Sequence, residues 1–183
     1  YKNDQKQGQW AYYFKNGQVE QKGNYRKGNL HGKWIWYFKD GGKLREESFI
    51  MGRPDGPYVE YNREGDKIVE GQYTQGYKEG QWTYRVGDQV EEGSYISGAK
   101  DGAWKHYYKD GTLRFEGEYS GGAPDGKHLH YYPSGDLRLE AHYRAGQKTG
   151  TWRWYDPEGL ILMSLTYDGD KEVRVDGWKL HEN

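Results

Sequence analysis

The sequence predicts an all-β fold, an elongated single-layer antiparallel sheet made of about seven β-hairpin repeats. The first observation is a glycine that recurs nearly every 24 residues, with one step of 22 residues: Gly8, Gly32, Gly56, Gly80, Gly102, Gly126 and Gly150. The second is that the aromatic residues (8 Trp, 19 Tyr and 4 Phe) stand at fixed distances from these glycines. Periods of roughly 20–50 residues are typical of arrays in which each unit packs mainly on its neighbours.

We predict that seven repeats, opening at these glycines, fill residues 8–170. Residues 1–7 are then the end of a preceding repeat or a linker, and residues 171–183 a terminal strand or cap.

The second repeat shows why each element is expected. Trp34–Phe38 is aromatic and β-branched, which favours a strand. Asp40-Gly41 is a hairpin signal, because glycine takes the positive φ that tight turns require. After a second strand, the Pro-Asp-Gly of Gly52–Gly56 predicts the next turn. Each repeat is therefore expected to contribute two antiparallel strands.

Counting the opening glycine as zero, three positions hold an aromatic residue in almost every repeat. Position two holds Trp10, Trp34, Tyr58, Trp82, Trp104, His128 and Trp152. Position five holds Tyr13, Tyr37, Tyr61, Tyr107, Tyr131 and Tyr155, with Tyr84 in the short repeat. Position seventeen holds Tyr25, Phe49, Tyr73, Tyr95, Tyr119, Tyr143 and Tyr167. Positions two and five have opposite parity and so should face opposite sides of a strand. We expect positions five and seventeen to form the core.

Position four differs from repeat to repeat, which is typical of a residue that faces solvent or a partner. Position six has the same parity and should share its face. We therefore expect a partner to contact Tyr12, Trp36, His106, His130 and Trp154 at position four, and Phe14, Phe38, Tyr108 and Tyr132 at position six.

Two sets of residues invite a metal-binding interpretation. Position fourteen holds the carboxylates Glu46, Glu70, Glu92, Glu116 and Glu140. These should lie about 9–10 Å apart, too far to share one cation, so we expect them to accept hydrogen bonds from tyrosine, lysine or backbone groups. His128 and His130 share a strand face, and hairpin pairing is expected to bring His142 near His128, so three imidazoles could bind zinc. The alternative is that His128 and His130 simply replace aromatic residues.

Composition narrows the classes of function that remain possible. Lys and Arg (27) balance Asp and Glu (28) and are interspersed, so no basic stripe for nucleic acid or anionic lipid is expected. There is no cysteine, and no apolar stretch approaches the roughly 20 residues of a membrane span. No nucleophile motif or phosphate loop is recognisable, so we expect neither catalysis nor a cofactor. The chain begins at Tyr1 without an initiating Met, and we expect a bacterial cell-envelope protein whose targeting segment lies outside this sequence.

The repeat pattern is clearest from Gly102 to Gly126, with Trp104, Tyr107 and Tyr119 in place. It resembles the MORN-repeat variant of bacterial proteins often labelled YwqK-type antitoxins. This resemblance implies hairpin units in a twisted antiparallel sheet.

We therefore expect a non-enzymatic scaffold that binds another protein, alone or in a larger assembly, along an aromatic sheet face. Three alternatives stay open. Aromatic platforms also stack on sugar rings, which would suit a glycan or peptidoglycan ligand. The others are binding of lipid headgroups and, from the resemblance, neutralisation of a toxin.

Overall fold

The structure, a computed structural model, describes residues 5–177, and every regular element in that range is a β-strand. The strands are β1 (Gly8–Tyr13), β2 (Val19–Arg26), β3 (Asn29–Tyr37), β4 (Lys43–Ile50), β5 (Arg53–Tyr61), β6 (Lys67–Thr74), β7 (Tyr77–Val86), β8 (Gln89–Ile96), β9 (Ala99–Tyr107), β10 (Leu113–Ser120), β11 (Ala123–Tyr131), β12 (Leu137–Arg144), β13 (Gln147–Tyr155), β14 (Ile161–Asp168) and β15 (Lys171–Gly177). Strand order in the antiparallel sheet follows chain order from β1 to β15. The all-β prediction is confirmed. No helix within residues 5–177 is long and apolar enough to cross a membrane.

The strands belong to two compact units. The first unit runs to Val86 and also includes Tyr95–Gly98. The second unit comprises Gly87–Ser94 and the chain from Ala99 onward. Strand β8 therefore contributes residues to both units. The predicted terminal segment 171–183 contains β15, and its part beyond residue 177 lies outside the described residues, as do residues 1–4. The division into seven repeats stays a prediction.

Two-residue turns join each hairpin to the next, and the prediction of a turn over Gly52–Gly56 is wrong. Met51 and Gly52 have φ values of 51° and 82°, the left-handed conformation that a type I′ turn requires at both central positions. Strand β5 then starts at Arg53, so Pro54 lies inside a strand. The sequence signal misleads because a non-glycine residue occupies the first left-handed position.

The hairpin turn predicted at Asp40-Gly41 is confirmed. It forms part of a longer connection between β3 and β4, closed by a 2.8 Å hydrogen bond from the Phe38 N–H to the Gly42 carbonyl. Gly41 has a φ of 93°, a value that favours glycine. The Asp40 carboxylate accepts a hydrogen bond from the Gly42 N–H at 3.0 Å, which fixes the connection locally.

The opening glycine of a repeat lies inside a strand, at a bulge. Gly32 has a φ of 69° within β3. The pairing of β2 with β3 shifts register between Lys22 and Asn24, so three residues of β3 oppose one residue of β2. A bulge of this kind re-aims the side chains next to it. Here it accompanies the placement of Trp34 across the neighbouring strand.

The most buried side chains are the tryptophans of position two. Trp34, Trp82 and Trp104 are at most 1% exposed. Each indole N–H donates a hydrogen bond to the carbonyl of the residue ten positions earlier, at 2.9, 3.2 and 3.1 Å. Tyr25 and Tyr73 of position seventeen pack edge-on against this row, with ring centroids 5.1 Å from those of Trp34 and Trp82. Position seventeen thus packs into the core as predicted, and position two is its centre.

A glycine on the preceding strand makes room for each of these indoles. A Cβ on Gly23, Gly71 or Gly93 would lie only 2.3, 2.1 or 2.3 Å from the ring of the following tryptophan. Carbon atoms in ordinary contact are about 3.5–4.0 Å apart. The tryptophan therefore lies flat on the glycine backbone, and the pair acts as one packing unit.

The tyrosines of position five occupy the opposite face and are only partly buried, so their assignment to the core is wrong. The hydroxyls of Tyr107 and Tyr131 donate to the carboxylates of Glu92 and Glu116 at 2.8 and 2.7 Å. Burial, as the larger cause, and the nearby carboxylate together raise the pKa of each tyrosine to about 12. The expected role of these glutamates as acceptors for tyrosine is confirmed.

Tyr84 does not belong to position five. Its ring stacks at a centroid distance of 5.9 Å on Trp82, and its hydroxyl donates to the Tyr95 hydroxyl at 3.2 Å. Tyr84 stands four residues after Gly80, so it has the parity of Trp82 and lies on the tryptophan face. The short repeat has lost residues from its connection and not from the strand before it.

Candidate functional site

Next to the buried tryptophans runs a second row on the same face, which we call the variable row. Position four of one strand pairs with position thirteen of both neighbouring strands, so these residues alternate across the sheet. In the first unit the variable row consists of Tyr12, Gln21, Trp36, Arg45, Glu60, Val69 and Tyr84. In the second unit it consists of Glu91, His106, Phe115, His130, Leu139, Trp154 and Met163.

The five predicted contact residues of position four all lie in this row. They are half-buried, because each packs sideways on the tryptophan row while one edge stays accessible. Position thirteen was not predicted to belong to this surface. Its side chains change between repeats as much as those of position four, and hairpin pairing arithmetic would have placed them between the position-four residues.

In the first unit, Trp36 is the largest side chain of the variable row. Its ring centroid lies 6.0 Å from that of Trp34 and 6.2 Å from that of Phe49. The Arg45 guanidinium carbon stands 4.0 Å from the centroid of the Trp36 ring, within the range of a cation–π interaction. At the start of the row, the Tyr12 hydroxyl accepts a 2.6 Å hydrogen bond from the Lys6 ammonium.

Opposite Trp34 on the next strand, a charged residue interrupts the glycine–tryptophan pattern. Glu47 takes the place of the glycine and Tyr58 that of the tryptophan, and Glu47 is only 8% exposed. Burial raises the pKa of the Glu47 carboxyl, while Arg45, whose Nε is 3.6 Å away, lowers it less. The Tyr58 hydroxyl donates to Glu60 at 3.1 Å, and burial followed by the Glu60 charge raises the pKa of Tyr58 to about 12. This part of the first unit is polar and hydrogen-bonded.

In the second unit the row is built around Phe115. The imidazoles of His106 and His130 flank it, with ring centroids at 4.7 and 4.9 Å from that of Phe115. The pKa of His106 is lowered, and that of His130 is lowered to about 4. Burial is the main cause in both cases. Trp154, further along the row, lies 6.0 Å from Trp152 between ring centroids. Neutral imidazoles and apolar rings therefore dominate this segment.

The four residues predicted at position six lie in the connections that follow the strands, outside the variable row. The hydroxyls of Tyr108 and Tyr132 donate to the carbonyls of Tyr131 and Tyr155, at 2.8 and 2.7 Å. Phe38 contacts the Arg63 guanidinium, whose carbon lies 5.1 Å from the ring centroid. These contacts link Tyr108, Tyr132 and Phe38 to the following hairpin, and Phe14 lies directly after β1.

The expected approach of His142 to His128 is wrong. His128 pairs with Ala141 and Lys127 with His142, so His142 points to the opposite face, where its Nε2 lies 3.2 Å from Glu140. His128 instead replaces a tryptophan, with its Nε2 at 2.7 Å from the Glu118 carbonyl ten residues earlier. Within the part of the chain that the structure describes, no group of three or more His, Cys, Asp or Glu side chains is placed to hold a metal ion. The zinc hypothesis for His128, His130 and His142 therefore fails on register.

Four segments match the family model of the MORN repeat variant: residues 6–27, 30–50, 100–120 and 124–145. Each of them covers two consecutive strands, which is one hairpin. These segments are MORN repeats, which form β-scaffolds that commonly bind proteins or membranes. The comparison with curated proteins gave no match.

Proposed function

We propose that this MORN-repeat chain is a non-enzymatic scaffold that binds another protein along the variable row. The observation that best supports this proposal is the contrast between two adjacent rows on one face. The tryptophan–glycine row is buried and nearly constant, whereas the variable row is half-exposed at every member except the buried Phe115 and differs at almost every strand. A constant support beside changing side chains is the arrangement expected of a surface that recognises a partner over several repeats.

The residue types in the variable row support a protein partner. Trp36 and Trp154 offer large, half-exposed rings that are already held by their neighbours, so little conformational entropy is lost on binding. Tryptophan, tyrosine and arginine are enriched among the residues that dominate binding energy at protein interfaces. Trp36 and Trp154 are the expected anchors, each contributing about 2 kcal/mol or more.

A capture experiment with matched variants tests this proposal. The wild-type chain is used as bait in a lysate of its native organism, and the recovered proteins are tested against Trp36→Ala and Trp154→Ala. The adjacent substitutions Tyr37→Ala and Tyr155→Ala are the controls, because position five lies on the opposite face. We expect the tryptophan variants to lose the partner and the tyrosine variants to retain it, with melting curves establishing that all four are folded.

The opposite ranking would refute the proposal. Loss of binding in Tyr37→Ala and Tyr155→Ala, with full binding by the tryptophan variants, would place the partner on the tyrosine face. Binding should also weaken little between low and physiological salt, because the contact relies on rings more than on exposed charges.

A further inference from the structure

The segment of the variable row around Phe115 has a chemistry of its own. We call His106, Phe115 and His130 the histidine patch. The three rings belong to the neighbouring strands β9, β10 and β11. His128 adds a fourth ring, with its centroid 5.4 Å from that of Phe115, but its Nε2 is engaged by the Glu118 carbonyl. His106 and His130 are therefore the imidazoles with capacity for a ligand.

Cations outnumber carboxylates around this patch. The charge of Arg114 on β10 lowers the pKa of both imidazoles. Arg138 on β12 also lowers the pKa of His130, and Lys100 on β9 that of His106. The negative charge of Glu91 on β8 has the opposite effect and raises the pKa of His106. Its carboxylate oxygen is 3.8 Å from His106 Nε2, which is beyond hydrogen-bond distance.

One ring nitrogen of the patch also makes no hydrogen bond within the described residues. His106 Nε2 is buried and has no hydrogen-bond partner among the described residues. A buried polar group without a partner is costly. An incoming acceptor that displaced a ring edge would relieve this cost, and a carboxylate would at the same time offset the surrounding positive charge.

We propose that the histidine patch binds an acidic side chain of the protein partner, and that His106 and His130 take up protons as it binds. This rests on the proposed function, because the patch is part of the variable row. In the free protein, burial and the neighbouring cations keep both imidazoles neutral. A bound carboxylate favours the imidazolium form, so the contact strengthens as the pH falls from about 7.5 to about 5.5 and weakens again only where the ligand carboxylate is itself protonated.

The test uses a capped hexaglutamate peptide as the probe and the full chain as the receptor. We expect its Kd to fall at least about tenfold between pH 7.5 and 5.5, because one proton taken up on binding contributes up to tenfold per pH unit. NMR signals of the His106 and His130 rings should shift on binding, and capped hexalysine should not bind. The double substitution His106→Gln with His130→Gln should remove the pH dependence. His142→Gln is the matched control, since it removes a histidine from the opposite face.

Arg138→Glu provides a second variant, because Arg138 is exposed and its substitution leaves the packing of the rings in place. It should weaken hexaglutamate binding at least about fivefold without a change in melting temperature. Equal binding by wild type and Arg138→Glu, equal loss in His142→Gln, or no binding at either pH would overturn the inference. So would binding of phosphatidylserine vesicles through the patch in place of the peptide. Retention of the Trp154-dependent partner in that event would leave the proposed function standing.

Discussion

Replacing Gly93 with alanine tests how far the tryptophan row stabilises the fold. A Cβ there would lie 2.3 Å from two ring carbons of Trp104, so the ring has to retreat by more than about 1 Å. Retreat stretches the 3.1 Å hydrogen bond to the Ser94 carbonyl and moves the ring toward Lys100, whose ammonium is 3.7 Å from the ring centroid. Overpacking costs about 1–3 kcal/mol and the hydrogen bond about 1 kcal/mol, while alanine restricts the unfolded chain and returns about 0.4–1 kcal/mol. We expect a net loss of about 2 kcal/mol in the free energy of unfolding.

Urea unfolding followed by tryptophan fluorescence measures this loss. The control is Gly42→Ala, in an exposed connection where φ is not positive, and it should change stability by less than about 0.5 kcal/mol. The chain contains a natural comparison, since Ala141 precedes Trp152 at the equivalent position and Trp152 is 7% exposed. A Gly93→Ala protein as stable as the Gly42→Ala control would mean that the close glycine–tryptophan contact does not determine stability.

Three further predictions follow from the same contacts. Trp104→His should cost less than Trp104→Ala, about 1–2 against about 3–5 kcal/mol by urea unfolding, because His128 already bonds the equivalent carbonyl in its own repeat. Tyr131→Phe should lose about 1 kcal/mol in the same assay, and ultraviolet titration should lose one tyrosine that ionises near pH 12. The pKa of His130 falls from 6.5 to about 4 on folding, so its contribution is complete above pH 6.5 and is lost as the pH falls toward 4. Because the ring keeps part of its hydration, we expect His130 to contribute about 1–2 kcal/mol to the fall in stability measured from urea midpoints. His130→Gln should reduce the pH dependence by that amount, and His142→Gln should leave it unchanged.

The repeat pattern predicted the strands better than the turns between them. Hairpin content and sheet type could be inferred because aromatic residues recur at fixed spacing, and the Asp40-Gly41 turn carries a recognisable signal. The turn at Met51-Gly52 could not be predicted, because methionine rarely adopts the left-handed conformation and carries no turn signal. Pro54 also misled the turn prediction, because proline is tolerated inside β5 next to the register shift between Glu47 and Phe49.

The candidate site was predicted only in part because face assignment depends on register. Parity placed Trp36 and Trp154 on one side of their strands, and the structure agrees. Parity within one strand does not reveal which residue lies opposite on the next strand. The places of Arg45 and Phe115 in the variable row, and the face of His142, therefore depend on pairing that the sequence does not specify. A one-residue error in pairing moves a side chain to the other side of the sheet.

The repeats also provide an internal standard against which departures can be judged. Glu47 is the one charged residue at its position in the seven predicted repeats, and a buried carboxylate costs stability that glycine does not. His128 likewise gives up the larger apolar surface of tryptophan. Glu47 lies next to Arg45, whereas His128 lies next to the histidine patch. Departures from a locally consistent pattern tend to mark functional positions. The variable row therefore differs in chemistry between the segment beside Glu47 in the first unit and the segment beside His128 in the second.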